Sequence, residues 1–106
     1  MDRIAHFSAL LQQQPANDLF RFSLAQAFLA ADRPAEAEPH LRRCIEAKAD
    51  WMIPRILLGK ALLRRGDAAG ARALLEDALA LAIAQSHEAP EAEIRALLGE
   101  LGPAAS

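Results

Sequence analysis

Two stretches of this sequence match when the chain is shifted by 34 residues, and this period restricts the possible folds more than any single residue does. Residues 17–50 align with residues 51–84, with similar residues filling several places between the identities. The identical positions are Arg21/Arg55, Leu24/Leu58, Ala27/Ala61, Leu29/Leu63, Ala35/Ala69, Ala37/Ala71 and Leu41/Leu75. A fixed period in the low thirties is typical of stacked helical repeats, whose units bury their apolar faces against their neighbours. The period therefore predicts a repeat architecture and a class of function, protein recognition.

Composition predicts that the repeats are helical and form one domain over residues 1–106. Hydrophobic residues make up 53% of the chain, yet valine and tyrosine are absent while alanine and leucine dominate. Alanine and leucine favour helices, and the missing residues are ones that strands prefer. The formal net charge of -2 gives no general attraction to nucleic acid or to membranes, so neither is expected as a partner.

The sequence also predicts a cytoplasmic protein. A single cysteine forms no internal disulfide, which fits a reducing compartment. No apolar segment follows the charged N terminus as in a signal peptide, and the longest weakly polar run, Ala78–Ala84, is too short to span a bilayer.

Proline, glycine and capping residues divide the chain into six predicted helices. The first covers residues 2–14 and aligns with the second half of a repeat, so it is interpreted as a half-repeat. Repeat 1 covers residues 17–50, with Asn17 or Asp18 as the cap of its first helix and Pro34 at the start of its second. Repeat 2 covers residues 51–85, with Asp50 and Asp67 as caps. Residues 90–101 are predicted to form a C-terminal capping helix with one apolar side.

The matched positions resemble those of tetratricopeptide repeat (TPR) proteins. The residues that carry the resemblance are Leu24, Ala25, Phe28, Ala37, Leu41 and Cys44 in repeat 1, and Leu58, Gly59, Leu62, Ala71, Leu75 and Ala78 in repeat 2. Arginine stands at Arg21 and Arg55, where the family favours tryptophan. The resemblance implies an all-α solenoid of antiparallel helix pairs, with about two and a half repeats in six helices. It also implies a protein–protein interaction module rather than an enzyme.

The first helix of each repeat has two apolar stripes, and only one is needed to pack against its partner helix. In TPR folds these first helices line a concave groove, so the resemblance implies that the second stripe forms the groove wall. The residues concerned are Leu19, Phe22, Gln26, Leu29, Ile53, Ile56, Lys60 and Leu63. We expect an apolar helix or peptide of another protein as the ligand, with Lys60 and Arg64 able to meet a carboxylate.

Two alternatives remain open for this stripe. The capping helix can cover part of it, or the stripe can join two copies of the chain into a homodimer or scaffold. Members of the family that bind chaperones grip a peptide C terminus with paired lysine and asparagine on these helices. Phe22, Gln26 and Leu57 stand at such positions here, so the resemblance does not predict that mode.

Charged residues are unevenly distributed along the chain. Basic residues predominate between His40 and Arg72, and acidic residues between Glu76 and Glu100. A basic segment of this kind can meet an acidic partner or join two copies head to tail. The interpretation we favour is a set of solvated helix faces with i,i+4 ion pairs, of which Glu38–Arg42 and Arg72–Glu76 are examples.

No pattern in the sequence predicts a catalytic, metal or cofactor site. His6, His40 and His87 lie on different segments, and none has a second ligand one helical turn away. Cys44 aligns with Ala78 of the next repeat, which indicates a small core residue rather than a nucleophile. The chain has neither a glycine-rich phosphate loop nor a zinc-protease HExxH motif.

Overall fold

The computed structural model describes residues 2–103, and all of its regular structure in that range is α-helical. Each of the six predicted helices is present, which confirms the all-α fold class. The helices are α1 (Arg3–Gln13), α2 (Asp18–Ala30), α3 (Pro34–Ala47), α4 (Met52–Arg64), α5 (Ala68–Ala84) and α6 (Glu88–Leu101).

Short polar residues begin several of these helices by accepting a hydrogen bond from an otherwise unpaired backbone N–H. Asn17 Oδ1 accepts from the Phe20 N–H at 3.0 Å, and Asp67 Oδ1 accepts from the Gly70 N–H at 2.9 Å. The prediction that Asp50 caps α4 is wrong. Trp51 is the N-cap residue of that helix, and no side chain caps it.

The two prolines near the start of α3 and the one near the start of α6 are accommodated inside regular helix. Pro34 is the first residue of α3, where its missing N–H leaves no helical hydrogen bond unmade. Pro39 lies inside the same helix without delaying its start. Helix α6 begins at Glu88, slightly before the predicted residue 90, so Pro90 falls within its first turn.

Removing the Asn17 cap is expected to destabilise the protein measurably. Asn17→Ala should lower the free energy of unfolding by about 1 kcal/mol, because the Phe20 N–H loses its acceptor. Asp50→Ala is the matched control and should change the same quantity by less than about 0.5 kcal/mol, since Asp50 is exposed and caps no helix. Urea denaturation followed by circular dichroism measures both values, and equal losses would contradict the assignment of the caps.

The turns that end α2, α4 and α5 have one common geometry. Asp32, Gly66 and Ser86 each adopt a positive φ, at 59°, 86° and 58°. The next residue in each turn donates its N–H to the carbonyl five residues earlier, as in Arg33 to Phe28 at 2.8 Å and Asp67 to Leu62 at 2.9 Å. This is the pattern of a Schellman motif, in which a left-handed residue ends the helix and reverses the chain. The 34-residue period thus extends from the side chains to the backbone of the turns.

The described residues divide into two compact units on either side of the Ala49–Asp50 bond. In unit 1, which contains α1 to α3, helix α2 packs against both α1 and α3. Its fully buried residues lie at the positions that identify the repeat: Ala25, Ala37, Leu41 and Cys44. Helix α1 contributes no fully buried residue to the unit.

Unit 2 contains α4 to α6, and helix α5 packs against both of the others. A cluster of buried side chains joins all three helices: Met52, Ile56, Leu75, Ala78, Ala82 and Ile94. Helix α6 is therefore an integral part of this unit's core. The division between the units falls within one residue of the predicted boundary between repeats, while the single domain over residues 1–106 stays a prediction.

Candidate protein-binding surface

Helix α2 presents part of its predicted binding stripe to solvent. Leu19 is 69% exposed and Gln26 is also exposed, whereas Phe22 and Leu29 are half-buried. The helix is held by the Asn17 cap at its start and by buried Leu24 on the opposite side. Because an exposed leucine in the first turn contributes little to folding, Leu19 is free to contact another molecule.

Helix α4 presents an apolar start and a basic end. Ile53 is 40% exposed, and Arg64 at the other end of the helix is exposed as well. Between them, Lys60 Nζ donates to Glu93 Oε2 of α6 at 3.2 Å. Both partners of this ion pair are accessible, so its stabilising contribution is small and a ligand carboxylate can compete for the ammonium.

The structure corrects the prediction for Ile56, which was expected in the wall of the groove. Its side chain is only 3% exposed and belongs to the core cluster that includes Ile94. Leu63 is half-buried and packs against the same cluster. Helix α6 therefore covers part of the groove wall that was predicted on α4, which is one of the two alternatives that the sequence left open.

The exposed and half-buried positions define a slightly different stripe on each helix from the predicted one. On α2 it consists of Leu19, Ser23, Gln26 and Ala30, which we call the α2 stripe. On α4 it consists of Ile53, Leu57, Lys60 and Arg64, which we call the α4 stripe. Members follow each other at intervals of four, three and four residues, so each set lies along one side of its helix. Ser23, Ala30 and Leu57 were not predicted as site residues, although the same spacing counted from Leu19 and from Ile53 includes them.

Comparison with known proteins places these helices in a family. Residues 19–43 and 52–77 match the model described as tetratricopeptide repeat. A TPR repeat-containing protein of Pseudomonas aeruginosa is 38% identical over 85 residues, which are 80% of this chain and 81% of that protein. This chain belongs to the tetratricopeptide repeat family.

Two further proteins of known name or structure are similar to this TPR chain. The solution structure of a protein from Bordetella parapertussis superposes with a TM-score of 0.80 at 31% identity, covering 92% of this chain and 85% of that one. An Hsp70-Hsp90 organizing protein of Triticum aestivum is 36% identical over 76 residues, which are 72% of this chain and only 13% of that protein. TPR repeats generally mediate protein–protein interactions and are known as non-enzymatic modules.

Cys44, which was considered as a nucleophile from the sequence, is a core residue in this TPR fold. Cys44 is fully buried, and burial raises the pKa of its thiol to about 11, so the side chain is an uncharged core residue at neutral pH. Within residues 2–103, no three His, Cys, Asp or Glu side chains are grouped so that they could hold a metal ion. Over the same range, no helix is long and apolar enough to cross a membrane.

The ion pairs predicted from i,i+4 spacing are present. Arg42 Nη2 lies 3.3 Å from Glu38 Oε1, and Arg72 Nη1 lies 3.9 Å from Glu76 Oε1. The side chains of both arginines remain at least partly accessible, so each pair stabilises its helix by a few tenths of a kcal/mol. Some of the basic and acidic residues that are unevenly distributed along the chain therefore pair with each other on the same helix.

Proposed function

We propose that this TPR chain binds a partner protein through the α2 stripe and the α4 stripe. One observation supports this most: Leu19 and Ile53 occupy the same repeat position, 34 residues apart, and both are large apolar side chains exposed to solvent. This position is thus exposed in both repeats. Exposed apolar side chains at regular places on a helix are typical of contacts with another protein.

The chemistry of the stripes favours a particular kind of ligand. Each stripe begins with an apolar residue, so a helix or peptide with apolar side chains would lose water-exposed apolar surface on binding. The α4 stripe ends with Lys60 and Arg64, whose side chains suit a ligand carboxylate near the end of that helix. We therefore propose a partner that presents apolar side chains to the start of each stripe and a carboxylate to Lys60 and Arg64.

A chaperone C terminus is not the partner that we propose. The wheat relative is named for organising Hsp70 and Hsp90, but this chain spans only 13% of that protein. At the positions where chaperone-binding members carry lysine and asparagine, this chain has Phe22, Gln26 and Leu57. These side chains cannot reproduce the cationic clamp on a terminal carboxylate.

Charge substitutions in the stripes test this proposal. Leu19→Glu and Ile53→Glu should each lower capture of the native partner by tenfold or more, because binding would bury an unpaired carboxylate. The free energy of unfolding should change by less than about 0.5 kcal/mol, since both side chains are exposed. Affinity capture with quantitative mass spectrometry measures the first quantity, and thermal denaturation measures the second.

The matched control is Ile83→Glu on α5, because Ile83 is 51% exposed but lies on neither stripe. This variant should retain capture of the same partner. Loss with Ile83→Glu alone would move the binding surface to α5 and refute the proposal. Self-association through the stripes is the alternative, and it predicts a molar mass that rises with concentration in light scattering and falls back to the monomer value in Leu19→Glu.

A further inference from the structure

An unbroken row of side-chain contacts runs from one turn of unit 1 to the other. The Arg33 guanidinium lies over the Phe28 ring, with its Cζ 5.1 Å from the ring centroid. Phe28 also contacts His40 of α3, whose ring stacks on it with 5.9 Å between centroids and an interplanar angle of 11°. His40 Nδ1 lies 3.4 Å from Arg21 Nη1, and Arg21 Nη2 donates to the Pro15 carbonyl at 2.9 Å.

The contact between Arg21 and His40 depends on the charge of the imidazole. A guanidinium can only donate hydrogen bonds, so Nδ1 of His40 must be an unprotonated acceptor. Protonation of the ring would replace that hydrogen bond by two positive charges separated by the same 3.4 Å. Arg21 would then have to move away, and its hold on the Pro15 carbonyl would weaken.

The rest of the surroundings do not offset this repulsion. Burial first, and the charge of Arg21 second, hold the pKa of His40 below its ordinary value of 6.5. Glu36 lies one turn before His40 on α3, and its carboxylate Oε2 is paired with Arg33 Nη2 at 2.7 Å. One turn later on α3 stand Arg43, a further cation, and Cys44, a neutral thiol. On α2, Asp18 lies one turn before Arg21.

Repeat 2 has no titratable group at the place of His40. The residue 34 positions later is Leu74, and the counterpart of Phe28 is Leu62, which is 1% exposed. The arginine is kept as Arg55, whose Nη1 lies 3.8 Å from Asp77. A histidine at this repeat position is therefore particular to unit 1, and unit 2 provides an internal reference.

We propose that His40 is a proton-operated latch that holds the α1–α2 loop, α2 and α3 together at neutral pH and releases the loop on mild acidification. The folded unit binds fewer protons than the open one, so the latch is fully stabilising above the ordinary histidine pKa. Its contribution is lost as the pH falls from there to the pKa of the folded state. Because α2 carries one of the proposed binding stripes, acid would also loosen that surface, but the latch itself does not depend on the proposed function.

Hydrogen exchange of the full chain between pH 7 and pH 5 tests the latch. After correction for the intrinsic exchange rate, the opening equilibrium around Asn17, whose N–H bonds the Gln14 carbonyl, should rise by up to tenfold per pH unit. His40→Gln keeps an acceptor for Arg21 but cannot titrate, so its opening equilibrium should not change with pH. The hydrogen exchange of amides in unit 2 should be the same in wild type and in His40→Gln.

Two results would overturn the latch. One is the same pH dependence of loop opening in wild type and in His40→Gln. The other is acid-induced opening of unit 2 amides to the same extent as those of the loop. If His40→Gln does not fold, His40→Leu serves instead because it copies Leu74 of repeat 2, and an unchanged pH dependence in that variant would equally refute the proposal.

Discussion

Replacing Ile94 with alanine is expected to lower the free energy of unfolding by about 2–5 kcal/mol. The side chain is fully buried, although it belongs to a helix that the sequence predicted to be a C-terminal capping helix. It packs in a cluster with Met52 and Ile56 of α4 and with three residues of α5. Truncation removes its apolar contacts and leaves a cavity among side chains that other helices hold in place.

Chemical denaturation measures this loss, and the choice of control makes it specific to the buried position. Leu97→Ala truncates a half-buried leucine on the same helix and should cost less than half as much. Ile94→Ala should also increase hydrogen exchange in α6. A loss below about 1 kcal/mol would show that α6 is peripheral to unit 2, and that Ile56 is available to a ligand after all.

The packing of α6 also shows where the sequence-based prediction was limited. Most of the core was predictable, because positions such as Leu24 and Leu58 recur at the 34-residue period and are buried in both repeats. Helix α6 begins 36 residues after α4, not 34, so it does not follow the period. With that offset Ile94 aligns with Leu58, which is fully buried as well. Because α5 is longer than α3, this correspondence does not appear when the sequence is shifted by 34 residues.

The binding stripes were predictable only in part, for a related reason. Leu19, Gln26, Ile53 and Lys60 were selected from the sequence and lie at accessible positions. Ile56 was selected by the same pattern, but an apolar residue on the second stripe can meet either a ligand or the next helix. Periodicity places a residue on a side of its helix. Only the packing of α6 decides which part of that side remains exposed.

Gly59→Ala is expected to destabilise the protein by about 1–3 kcal/mol, although alanine favours helices more than glycine does. A methyl group at this position would lie 2.9 Å from Cδ2 and 3.0 Å from Cγ of Leu75. Leu75 is itself fully buried in the unit 2 cluster, so it has little room to shift. Overpacking should therefore outweigh the gain in helix propensity, which is about 1 kcal/mol at most.

Gly99→Ala is the matched control, because a methyl group there meets nothing within 4 Å and Gly99 also lies in a helix. That variant should keep its stability or gain up to about 1 kcal/mol. The assignment of the clash to Leu75 is tested in a Leu75→Ala background, where the obstructing side chain is gone and the new methyl group fills part of the cavity. Gly59→Ala should then be neutral or stabilising, with a coupling of about 0.5–3 kcal/mol between the two sites. An equal penalty in both backgrounds would show that the glycine is needed for a reason other than the close approach of α4 to α5.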